Sequence, residues 1–171
     1  MSESKFIEFD WALWFQWIMA TTLGWVLGRF LLPNLAFVVI GIALGVLQWF
    51  VLQEHIQKSW QWIIATIVGW TLGSTLVLLL VADGAEFLAG VILGCTVGTA
   101  QWLVLRREVH WNGWWLIINV VAWTTGMALL PGLLSTGAMV GAITGIALGL
   151  LLQYPKPAQV DRSGLEEEKG T

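Results

Sequence analysis

Six apolar runs follow one another along the chain, at residues 11–32, 34–53, 59–82, 85–105, 111–130 and 133–153. Only two charged residues, Arg29 and Glu86, fall inside them. A run of about 20 apolar residues matches the hydrocarbon thickness of a bilayer, and its backbone can be satisfied there only as a helix. The joints are short and carry turn or polar residues: Pro33-Asn34, the stretch 54–58, Asp83-Gly84, the stretch 106–110, and Pro131-Gly132. Short joints force antiparallel neighbours. The expected fold is therefore all-α and membrane-embedded, with six transmembrane helices arranged as three tandem hairpins, 11–53, 59–105 and 111–153.

Composition supports lipid as the solvent. With 8 basic and 11 acidic residues among 171, the chain has too little charge to coat a soluble globule; soluble domains carry about a quarter charged residues. This argues against a soluble enzyme, and a net charge of -3 argues against a nucleic-acid partner. The first ten residues, MSESKFIEFD, hold three acids against one lysine and do not read as a signal peptide. Lys5, Lys58, Arg106, Arg107, Lys156, Arg162 and Lys169 lie on one side of the six runs, and Arg29 alone lies on the other. The positive-inside rule then makes both termini cytoplasmic. Residues 1–10 form a short cytoplasmic N-terminus, 11–154 the six-helix domain, and 155–171 a charged, Pro-containing tail expected to be disordered.

The chain repeats itself. The odd runs share a stripe, Trp17-Thr21-Gly24-Gly28, Trp62-Thr66-Gly69-Gly73 and Trp115-Asn119-Ala122-Gly126, whose spacing of four, three and four lines one helix face. A second tryptophan stands beside the third position each time: Trp25, Trp70 and Trp123. The even runs share Gly41-Gly45-Gln48-Leu52 and Gly94-Gly98-Gln101-Leu105. A looser third copy is expected as Gly141-Gly145-Gly149 preceding Gln153. Each copy spans twice, so a pseudo-threefold axis along the membrane normal is expected. Glycine-zipper stripes allow helix backbones to approach closely where lipid gives no hydrophobic drive for association.

Chemistry-bearing residues are few. No charge sits mid-run, which argues against proton relays and ion pathways. A polar ring of Gln16, Gln48, Gln61, Gln101 and Gln153 is expected near the cytoplasmic face, serving as interhelical hydrogen bonds or as a mouth for a ligand headgroup or pigment metal. Thr21, Thr66 and Asn119 form a deeper level suited to holding helices together. Ten of the 13 tryptophans, Trp17, Trp62 and Trp115 among them, fall near the cytoplasmic ends and are expected to form an interfacial belt. His55 and His110 read as solvated loop residues, Cys95 as a small buried packing residue, and Arg29 as an outer ion pair with Asp83 or Glu86. No catalytic constellation, metal cluster or cofactor motif is present in the sequence.

GVLQWFVLQ at 45–53, GTAQWLVLR at 98–106, TLGWVLG at 22–28 and IVGWTLG at 67–73 resemble a group of uncharacterised small Gly/Trp-repeat membrane proteins of photosynthetic bacteria. The resemblance covers the spans and not the tail. It implies a bacterial cytoplasmic or thylakoid membrane and supplies no activity. Two functions are expected from the residues. The first is a non-enzymatic structural or assembly component, packing into a homo-oligomer or larger membrane complex through glycine-faced helices. The second is binding or passage of a pigment, quinone or lipid beneath the glutamine ring.

Overall fold

The computed structural model describes residues 9–31 and 36–156, all organised around six helices. These are α1 (Trp11–Leu31), α2 (Ala36–Leu52), α3 (Trp60–Leu80), α4 (Glu86–Glu108), α5 (Trp114–Ala128) and α6 (Leu133–Leu151). Each falls within or closely along one of the six apolar runs. Three of them, α3, α4 and α6, are long and apolar enough to cross a membrane. The Pro33-Asn34 joint, the first eight residues and the tail from 157 onward lie outside the described residues.

The sequence explains most of the helix ends. The Asp10 carboxylate accepts the Leu13 N–H at 2.9 Å and so caps the start of α1. The turn between α3 and α4 needs a left-handed residue, and Gly84 supplies it at φ 84°. The α2–α3 and α4–α5 joints are built alike. Trp49 donates its indole N–H to Ser59 Oγ at 3.1 Å, and Trp102 donates to Asn112 Oδ1 at 2.8 Å. Asn112 also donates to the carbonyls of Val109 and His110, and this local structure delays α5 to Trp114. Ile56 and Val109 tuck inward from the two joints.

The start of the expected disordered tail is ordered. Pro155 bridges Val109, the His110 N–H donates to the Tyr154 carbonyl at 3.0 Å, and the Lys156 N–H donates to the Glu108 carbonyl at 2.8 Å. The Glu108 carbonyl at the end of α4 and the His110 N–H just beyond it have no partner within the helix and take the returning chain instead.

Each helix packs against its neighbours in the chain, and α1 packs against α6, so the six close into a ring. Glycine sets the approach at every seam, carried by the helix that comes first around the ring. A Cβ placed on Gly24 would lie 2.8 Å from Leu44 Cα, on Gly69 2.8 Å from Val97 Cα, and on Gly94 2.5 Å from Val120 Cα. The α6–α1 seam repeats this at Gly137 and Gly141, each 2.8 Å from a Cα, of Thr22 and Ile18 respectively. Gly28 meets Ile40, Gly41 and Gly45 meet Trp70 and Ile63, Gly73 meets Thr96, Gly98 meets Asn119, and Gly126 meets Val140 and Thr136. Gly145 faces Trp14 and Trp17, and Gly149 faces Phe9. Any side chain at the tightest of these positions forces two backbones apart.

The interior is filled in layers. Toward the end of the ring that carries the termini, Trp17, Trp62 and Trp115 pack with Leu52, Leu105 and Leu148. Toward the far end, Trp25, Trp70 and Trp123 pack with Ile40, Leu44, Leu93, Val97 and Val140. The outside of the ring is apolar too: Phe30, Leu78, Leu79 and Phe87 are each at least 65% exposed. Cys95, expected to be buried, lies on this outer surface.

Candidate functional site

Between the two tryptophan layers lies a belt of buried polar side chains: Thr21, Gln48, Thr66, Gln101, Asn119 and Thr144. An amide buried this deeply is costly unless its donors and acceptors are met, and here they meet one another. Gln48 Nε2 donates to Thr21 Oγ1 at 3.1 Å, and Gln48 Oε1 accepts from Trp62 Nε1 at 3.0 Å. Gln101 repeats the pattern, donating to Thr66 Oγ1 at 3.0 Å and accepting from Trp115 Nε1 at 3.2 Å. A longer contact of 3.4 Å from Gln101 Nε2 to Gln48 Oε1 joins the two units.

The third unit is different. Trp17 Nε1 donates to Thr144 Oγ1 at 2.9 Å, and Thr144 passes its own hydrogen to the Val140 carbonyl at 2.6 Å. Asn119 donates back to the Trp115 carbonyl at 3.0 Å. Thr144 therefore occupies the place that Gln48 and Gln101 hold elsewhere, on the series Gly137-Gly141-Thr144-Leu148. That series keeps the four-three-four spacing, which the one ending in Gln153 does not.

Of the five expected ring residues, the structure brings together Gln48 and Gln101 only. Gln153 lies in the turn beyond α6, half-buried. Gln16 is exposed and Gln61 half-buried, and neither is among the side chains of the central belt. Matching residue identity rather than spacing placed the third glutamine nine positions too far along. Requiring the 4-3-4 interval would have found Thr144.

The tryptophans depart from the expected belt in the same place. Trp17, Trp62 and Trp115 are at most 1% exposed and face each other at the centre of the ring. Their ring centroids are 5.7 Å apart for Trp17–Trp62, 5.6 Å for Trp62–Trp115 and 6.3 Å for Trp17–Trp115, all edge-to-face. A buried indole N–H wants an acceptor, and the glutamine and threonine oxygens draw these rings inward. Trp25, Trp70 and Trp123 form a second triad with centroids 5.1 to 5.9 Å apart. Trp11, Trp60, Trp111 and Trp114 do lie on the outside, each more than half exposed.

Among the belt side chains lies a cavity of about 10 Å³, lined by Gln48, Thr66, Gln101, Asn119 and Thr144 among others. It is about the size needed for one water molecule.

No protein family matches the chain. Comparisons with curated proteins and with solved structures also give no match.

The other expected site residues stay apart. His55 is exposed, with Nδ1 3.1 Å from the Val51 carbonyl oxygen, and His110 is exposed on its loop. Among the described residues no cluster of histidine, cysteine and carboxylate side chains could hold a metal ion. Arg29 lies over the Trp25 ring, 5.6 Å from its centroid, and among the described residues it forms no ion pair with Asp83 or Glu86. A cation over an indole face needs no carboxylate partner.

Proposed function

We propose that the chain is an integral membrane protein whose six helices all span the bilayer, with both termini cytoplasmic and three hairpins related by a pseudo-threefold axis. It acts as a non-enzymatic structural or assembly component of a bacterial cytoplasmic or thylakoid membrane. The apolar outer surface supports the first part, since soluble monomers rarely expose continuous apolar area on this scale. The weight of positive charge at the terminal end supports the orientation.

One observation carries the assembly reading: the centre of the ring is packed at the level of the polar belt. Pockets for small molecules occupy about 300 Å³ or more, and the cavity among the belt side chains offers about 10 Å³ between the tryptophan layers. A pigment, quinone or lipid tail has no room there, and neither does a permeating solute. A bundle packed at its centre works through its outer faces, so self-association or docking into a larger complex is the function that fits.

The test is gentle detergent extraction of the full chain from its native membrane, followed by light scattering, absorbance and mass spectrometry. The expected result is a particle larger than one chain carrying no stoichiometric pigment or quinone. A monomer with either cofactor bound at one per chain would overturn the reading. Orientation is tested separately, since a C-terminal alkaline phosphatase fusion should be inactive.

A further inference from the structure

A groove of about 400 Å³ runs down the outside of the second hairpin, between α3 and α4. Its floor is shallow because Ala65 and Ala100 stand there. Its walls are Ile64, Val68 and Leu103, and its mouth, at the terminal end, holds Trp60, Gln61 and Arg107. From Trp60 to Val68 the groove follows eight residues of helix, about 12 Å at 1.5 Å per residue. That is close to the depth of one leaflet's hydrocarbon.

The other hairpins lack this combination at the corresponding positions. Taking Gln48, Gln101 and Thr144 as equivalent, Ala100 corresponds to Leu47 in the first hairpin and Ile143 in the third, while Arg107 corresponds to Glu54 and Leu150. Taking Trp17, Trp62 and Trp115 as equivalent, Ala65 corresponds to Ala20 and Ile118, and Trp60 to Phe15 and Gly113. Small floor residues, an indole and a cation coincide only in the second hairpin. Arg107 is exposed and makes no ion pair among the described residues, whereas its neighbour Arg106 lies over Trp102, 5.5 Å from the ring centroid.

We infer that this groove binds one anionic phospholipid of the cytoplasmic leaflet. The phosphate sits on Arg107, a guanidinium being suited to bidentate contact with phosphate oxygens. The Trp60 indole and Gln61 amide supply further donors at headgroup level. One acyl chain lies over Ala65 and Ala100 between Ile64, Val68 and Leu103. This assignment rests on the membrane reading above, because the mouth must lie at the lipid headgroups.

The test is native mass spectrometry of the full chain in detergent, titrated with phosphatidylglycerol or phosphatidylcholine of identical acyl chains. Phosphatidylglycerol should bind at one per chain, about fivefold or more tighter than phosphatidylcholine, the gain expected for one basic side chain at an anionic headgroup. Arg107→Gln should bring the two lipids to equal affinity. Ala65→Ile, which installs the residue that Ile118 provides in the third hairpin, should weaken both. Equal binding of the two lipids by the native chain, or preference unchanged in Arg107→Gln, overturns the site. So does full competition by inorganic phosphate alone, which would mark a simple anion site. Membrane fractionation run alongside separates the two ideas: a chain released from membranes without detergent defeats the membrane reading itself, while a chain that needs detergent but shows no lipid preference defeats only the groove.

Discussion

The two tryptophan triads have similar ring spacings, 5.6 to 6.3 Å and 5.1 to 5.9 Å, and are held by different forces. Near the termini, Trp17, Trp62 and Trp115 each donate to a side-chain oxygen from the polar belt. At the far end, Trp25 and Trp70 have buried indole nitrogens with no acceptor among the described residues, and the buried hydroxyls of nearby Thr22 and Thr124 likewise have no partner there. The first triad is oriented by hydrogen bonds as well as edge-to-face contact, the second by one edge-to-face pair, Trp25–Trp70, two tilted pairs with Trp123, and surrounding aliphatic side chains. The contrast separates what sets ring position from what fills space. An indole is a good space-filler at either level, but only beside the glutamines does its N–H specify a register between helices.

Both triads depend on the helices meeting closely, so the largest effect should come from Gly94, which packs against Asn119 and Val120 at a height between them. Gly94→Leu should cost about 3 kcal/mol or more by overpacking, abolishing the folded state in a thermal melt. Cys95→Leu, one residue along on the outer face, should melt like the native protein. Equal tolerance of the two would remove glycine contact as the basis of the fold.

A smaller and more selective effect divides the triads. Trp62→Phe removes the donor to Gln48 Oε1 and should cost about 1–2 kcal/mol. Trp70→Phe removes an N–H that has no acceptor, so its melting temperature should stay near the native value or rise. Both changes shrink a buried indole to a benzyl group, so the difference between them isolates the hydrogen bond. If Trp70→Phe costs as much as Trp62→Phe, the triads are held alike and the distinction fails.

Much of this arrangement can be read from the residues alone. The six runs and the turn at Gly84 follow from hydropathy and glycine, and the stripe Trp17-Thr21-Gly24-Gly28 does face inward as its spacing requires. What misled was treating tryptophan by its average preference. An indole near a run's end belongs at an interface in general, yet Trp17, Trp62 and Trp115 are recruited by oxygens on a different helix, and no local pattern shows that. Closure of α1 on α6 is equally a long-range fact, set by Gly137 and Gly141 against Thr22 and Ile18. The spacing of Gly137, Gly141 and Thr144 was visible but concealed by a change of residue type, because threonine does not resemble glutamine until its partner is known.

That change of residue gives the smallest effect and the finest test of the comparison. In two units a glutamine links a tryptophan of the next hairpin to a threonine of its own, while Thr144 reaches only Trp17 and its own helix. The cavity of about 10 Å³ borders Thr144 and Asn119, where a third amide would lie. Thr144→Gln should place its oxygen on Trp17 Nε1 and its NH₂ toward Asn119, filling that space. The gain of a buried hydrogen bond is about 1 kcal/mol, and it is opposed by the larger side chain, so the melting temperature should stay level or rise slightly. A fall equivalent to about 1–3 kcal/mol, the cost of overpacking, would mean that the axis has no vacant amide position. The terminal triad would then be held in two ways, by amides at Trp62 and Trp115 and by a hydroxyl of fixed size at Trp17.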